Sequence, residues 1–158
     1  MSRSTAITIV FVLILAFGAV IVAREFRGAL ARPAVQRLEH QRTLATLAEA
    51  LKDYRADQHA WPDTLFQLLK HSPELGLGAN RGYQYRKPDS DAADQIIISS
   101  EAFHPAVPAG QPWGAEGELA TAEVPAVAYV VTADLVVHEL PLDEAARRSP
   151  TPPSIPVR

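Results

Sequence analysis

The sequence predicts an α+β fold in which an N-terminal helix, apolar at first and amphipathic later, packs on a small antiparallel β-sheet. Three observations carry this. The run from Ala6 to Ala23 holds no charged residue. Apolar residues recur at helical spacing between Leu44 and Leu69. Beyond residue 82, short runs rich in β-branched and aromatic residues are bounded by turn formers.

The first element, AITIVFVLILAFGAVIVA, would span about 27 Å as a helix at 1.5 Å per residue, close to the thickness of a bilayer core. It reads as an uncleaved single-pass anchor, because the apolar part of a signal peptide is shorter and ends in a clear small-residue cleavage site. Arg3 flanks one end, and Arg24, Arg27, Arg32 and Arg37 follow the other. By the positive-inside rule this count favours a cytoplasmic domain, whereas arginines that merely snorkel to headgroups would carry no orientation signal.

Pro33 removes a backbone donor and clashes with the preceding turn, so a kink or short break is expected near Gly28 to Pro33. Leu38, Leu44, Leu47, Leu51 and Tyr54 then form one apolar stripe, with Arg42, Glu49, Lys52 and Asp53 between them. That helix should stop within Ala56 to Ala60, since Trp61 precedes Pro62. A short helix over Thr64 to Lys70 would bury Leu65, Leu68 and Leu69, and Ser72 to Gly82 reads as a loop. Strands are expected at Tyr83 to Arg86, Gln95 to Ser100, Ala126 to Thr132 and Leu135 to Leu140, the last two as a hairpin around Ala133-Asp134 that lacks the usual glycine. The proline- and glycine-rich stretch Ala102 to Pro125 is long enough to be a functional or mobile excursion. Arg147 to Arg158 holds four prolines and reads as disordered or extended. The expected organisation is a transmembrane helix over 1–27, a soluble domain over 28–143 and a proline-rich tail over 144–158.

Composition excludes several functions. A net charge of -3 with no long basic run argues against a nucleic-acid partner. The absence of cysteine removes disulfides, thiol nucleophiles and cysteine-ligated metals. His40, His59, His71, His104 and His138 show no i, i+4 pair, so a histidine metal site would require distant residues to converge. Ser99 and Ser100 end a strand outside any nucleophile-elbow or S-x-x-K pattern. Asp89, Asp91 and Asp94 alternate like the start of a calcium loop but lack its glycine and its glutamate, and they also suit a solvated turn. Gly76-Leu77-Gly78 is too little for a phosphate cradle. Trp61 suits a core position against the helix end, and Trp113 suits either core or interface. No catalytic, cofactor-binding or metal-binding residue is assigned, and no cofactor and no enzymatic activity are expected.

The passage LATLAEALKDYRADQHAWPDTLFQLL, with Ala50, Leu51, Tyr54, Asp57, Trp61, Pro62, Thr64, Leu65 and Leu68 as its matching positions, resembles the region after the membrane helix in type II secretion pseudopilins and type IV pilin-like proteins. The runs YQYRKPDSDAADQIIISS and AYVVTADLVVHEL are similar to the small sheet of that family. Between Met1 and Phe17 there is no recognisable prepilin peptidase site, and Phe11 stands where the family's glutamate would be if the chain began at Ile7, so the resemblance is to a divergent member. It implies a pilin-like fold and a bacterial inner-membrane protein with a periplasmic domain. It also implies partners among the lipid bilayer, other pilin-like subunits and secretion-system membrane proteins; in such an assembly the small residues Ala16, Gly18 and Ala19 would let helices approach closely, and Ala102 to Pro125, as a loop on a rigid scaffold, would offer the contact surface. The alternative is a membrane-tethered periplasmic binding or sensor module without an assembly role.

Overall fold

The computed structural model describes residues 3–76, 82–89, 92–149 and 152–157, with the backbone alone for residues 3–14 and for Phe26. Helix α1 runs Arg3–Leu30 and helix α2 Pro33–Gln58, with the break where Pro33 requires it. Pro33 cannot donate to the Ala29 carbonyl, so the Arg32 amide takes that acceptor at 3.2 Å, and the Ala31 amide donates to Arg27 at 3.1 Å. The first helix thus continues three residues past the expected boundary at 27. The first half of the expected anchor, 6–14, lies outside the described side chains. Among the described residues no helix is long and apolar enough to cross a membrane.

Helix α2 ends at His59, which adopts the left-handed conformation with φ of 51° and donates its amide to Arg55. Thr64 caps helix α3, Leu65–His71, by accepting from the Gln67 amide. A single 3-10 turn, Pro73–Leu75, follows. Residues 77–81 lie outside the described part, so the expected loop is seen only at its ends.

Strands β1, Tyr83–Tyr85, β2, Ile96–Ser100, β4, Val127–Thr132, and β5, Val137–Pro141, form an antiparallel sheet in the order β1-β2-β4-β5. Each overlaps the β-rich run that predicts it, but β5 begins at Val137, two residues later than expected. The β4–β5 hairpin turns without glycine because Leu135 takes a positive φ of 65°, while its amide donates to Thr132. A register shift between Ile96 and Ile98 places Ile97 and Ile98 in one core cluster and Ile96 in the other.

The sheet is covered on both faces. Val127, Tyr129 and Val131 pack with Leu44, Leu47 and Leu51 of α2 and with Leu65 and Leu68 of α3. On the other face, Ala128 and Val130 pack with Ile96, Leu140, Ala145 and Phe103. Ala145 belongs to α4, Leu142–Arg148, a helix in the region the sequence assigns to a tail. Its first turn carries Asp143 and Glu144, which pair with Arg147 and Arg148 at i, i+4, an arrangement that suits the helix dipole. The tail beyond it is extended: β6, Ile155–Pro156, pairs in parallel with β3, Ala102–Phe103.

The expected excursion over 102–125 is fastened along its length. His104 and Val127 exchange both backbone hydrogen bonds, Val107 and Val124 do the same, and the Ala34 amide donates to Trp113. Prolines here shape a path whose carbonyls meet α2.

Leu51 is fully buried, so Leu51→Ala should lower unfolding free energy by about 2–5 kcal/mol in chemical denaturation of the full chain. His59 is exposed and left-handed; His59→Gly should therefore raise stability by about 1 kcal/mol in the same measurement.

Candidate functional site

The N-terminal turns of α2 meet the 102–125 segment through a polar seam. Arg32 Nη1 donates to the carbonyls of Gly114 and Ala115 at 3.1 and 2.5 Å. Arg37 is only 6% exposed; its Nη2 donates to Pro125 O at 2.7 Å, and its guanidinium lies 4.9 Å from the centre of the Trp113 ring. Its Nε has no hydrogen-bond partner among the described residues. Glycine at 117 is required here, because a Cβ would stand 3.1 Å from the Arg32 guanidinium on a backbone with φ of 95°.

One helical turn beyond Arg37, His40 reaches across to the sheet. Its Nδ1 lies 2.8 Å from His104 Nε2, and its Nε2 lies 3.2 Å from Ser100 Oγ. Ser100 Oγ also accepts from the Ala102 amide at 3.1 Å. Tyr83 and Tyr129 set their rings edge-on or tilted against the imidazoles, and the Tyr129 hydroxyl donates to Glu139 at 2.6 Å. A hollow of about 340 Å³ beside the pair is lined by Leu30, Gln36, Glu39, Thr43, Tyr83 and Val157 together with both histidines.

The electrostatics keep this cluster neutral. Burial, then the neighbouring His40 and then the Arg37 charge push His104 down to about 4. Burial alone lowers His40. Burial, followed by its bond to Glu139, raises Tyr129. Among the described residues neither histidine nor Arg37 makes an ion pair. With both imidazoles neutral, a single chain of hydrogen bonds runs through Ser100, His40 and His104 in either direction, one proton to each bond.

Serine, histidine and a third group in this order are what hydroxyl activation uses. Here the serine is 2% exposed, its oxygen is held by the Ala102 amide, and it does not line the hollow, so a substrate has no approach to it. Nor do two imidazoles complete a metal site: the described residues contain no group of three or more histidine, aspartate or glutamate side chains placed to hold an ion.

The other residues singled out in the sequence stay apart. Asp89 is exposed and pairs with Arg86, and its amide donates to Gln95. Asp91 and Gly78 lie outside the described residues, while Asp94 is exposed. Trp61 packs against the core beneath the Arg55 guanidinium, 4.1 Å from its ring centre. His71 pairs with Asp57 at 3.2 Å, and Tyr54 sets its ring against His71. No pattern in the sequence signals the His40–His104 contact, which joins residues 64 apart.

Fold and seam together define a class: an α+β domain with one helix laid on an antiparallel sheet and fastened at its N-terminal end by buried polar groups. No protein-family model, curated protein or solved structure matches the chain.

Ser100→Ala should cost about 1–3 kcal/mol, because the Ala102 amide and one nitrogen of His40 then lose a buried partner. Urea titration of the variant against the parent chain checks this; an unchanged midpoint would show that the hydroxyl carries no load.

Proposed function

We propose that the chain is a single-pass bacterial inner-membrane protein of the pilin-like kind. Its domain lies in the periplasm, and it assembles with other pilin-like subunits or secretion-system membrane proteins by packing of its helix and its loops. The observation that carries this is the bare surface of α1. Leu15, Phe17, Val20, Ile21 and Val22 are all exposed on a helix that leaves the domain at Pro33, and their sequence continues the uncharged run that begins at Ala6. Exposed apolar side chains on a projecting helix call for an apolar surrounding, lipid or another helix.

Two further features support the reading. The motif positions Ala50, Leu51, Leu65 and Leu68 are all core residues, so the resemblance rests on packing. Arg32 and Arg37 are occupied by carbonyls of the 102–125 segment, which accounts for their presence without a role in topology. The charges left without such an explanation are Arg3 on one side and Arg24 and Arg27 on the other, a far weaker bias than the full count.

The chain has no cysteine, so Ala106→Cys at an exposed position supplies a single labelling site. It should react with a membrane-impermeant maleimide from the periplasmic side of intact cells, and the chain should stay with the membrane through alkaline extraction. Labelling only from the cytoplasm would end the periplasmic reading. Gly18 has open space around it, so Gly18→Leu should leave domain stability unchanged while lowering cross-linking between helices, because bulk at a small-residue stripe keeps helices apart.

A further inference from the structure

We propose that the His40–His104 pair is an acid-sensitive latch, which holds the segment after β2 and the C-terminal strand against α2 and releases them on protonation. The geometry makes the pair intolerant of protons. The two facing nitrogens are 2.8 Å apart and share one hydrogen. A first added proton places a charge in a buried site close to Arg37; a second sets N–H against N–H across the same gap.

The groups that face the pair do not offset such a charge. From α2 come Arg37, itself cationic, and Glu39, which lines the hollow but is exposed. Tyr83 comes from β1, and Tyr129 from β4 with its hydroxyl turned to Glu139 of β5. Ser100 of β2 is polar and uncharged.

What the pair holds is a small, weakly fastened unit. His104 follows β3 directly, and β3 contributes two residues to its ladder with β6. The C-terminal segment hangs on the Ser154 and Ile155 amides, both donating to Glu101, and on the Val157 amide donating to Phe103. Val157 and Leu30 sit at the rim of the same hollow as the histidines. By contrast, β2 and β4 are buried along their whole length. Opening at the histidines therefore loosens the β3–β6 ladder before it reaches the core, as a local unit of low stability.

The sign follows from the neutral state being the one the fold prefers. Both histidines bind protons less readily folded than unfolded, so the latch is fully closed above about pH 6.5 and weakens as pH falls toward 4. Carboxylates titrating in the same range would act on the whole chain, whereas the latch acts on one ladder.

Amide hydrogen exchange of the full chain in detergent micelles at pH 7 and pH 5, corrected for intrinsic rates, tests this. The amides of Ser154, Ile155 and Val157 should lose protection by about tenfold to thirtyfold, the factor expected when an open histidine titrates near 6.5 and a closed one well below. Amides of Ile98 and Val131 should hold theirs. His104→Gln keeps a donor for His40 and takes up no proton, and should remove most of the response; if it fails to fold, the ring resonances of His40 and His104 in the parent chain are titrated by NMR instead, and should move well below pH 6.5 for His104 and below its ordinary value for His40. Unchanged protection at pH 5, equal loss at Ile98 and Val131, an undiminished response in His104→Gln, or ring titration near pH 6.5 would each overturn the latch.

Discussion

Strand β4 has every one of its six residues buried, and the rest of the fold is arranged by what that burial demands. Its two edges are taken by β2 and β5, which satisfies its backbone. Each of its two faces then needs an apolar cover, and a strand turns alternate side chains to opposite faces. Val127, Tyr129 and Val131 draw α2 and α3 over one side; Ala128 and Val130, smaller on average, are covered by the short α4 and by Phe103. Side chains of this size contribute about 1.5–3 kcal/mol each when fully buried, so neither cover is optional. Its polar side chains find partners outside the core: the Tyr129 hydroxyl donates to Glu139, the residue paired with it on β5, and the Thr132 hydroxyl donates to Asp134.

Apolar burial positions the middle of α2 but does not account for its beginning. Arg32 caps the end of the helix where the backbone dipole is positive and the first amides lack helical acceptors, and Arg37 and His40 follow one and two turns further on. Arginines there are unfavourable unless acceptors come from outside. The 102–125 segment supplies them: carbonyls of Gly114, Ala115 and Pro125 to the guanidiniums, and that of Trp113 to the Ala34 amide. Proline and glycine in this segment leave carbonyls free that a regular strand would have used in its own ladder.

Local signals in the sequence were therefore readable and long-range polar ones were not. Leucines at spacings of three and four placed α2 and its stripe, Pro33 its start, and Trp61-Pro62 its end. Short β-rich runs placed the four strands of the sheet. Helix α4 carries a local signal of its own, two acid–base pairs at i, i+4, which the surrounding prolines hid. The parallel β3–β6 pairing and the His40–His104 contact carry none, since two-residue strands and isolated histidines have no period, and only the folded chain brings 40 beside 104. The excursion over 102–125 reads as mobile in the sequence for the same reason: the donors that its carbonyls meet lie at the start of a helix more than sixty residues away.

The stem and the domain meet where these polar contacts are concentrated. Between Leu30 and Pro33 the backbone makes a break with one carbonyl shared by a tightened turn, and Leu30 faces the same hollow as Val157 and the histidine pair. A continuous helix would fix the direction of the stem by its own ladder. Across a proline break the direction is set by what touches each side, and here those contacts are hydrogen bonds to carbonyls, a cation over an indole ring, and two imidazoles sharing a proton. Such contacts respond to charge in a way that buried leucines do not.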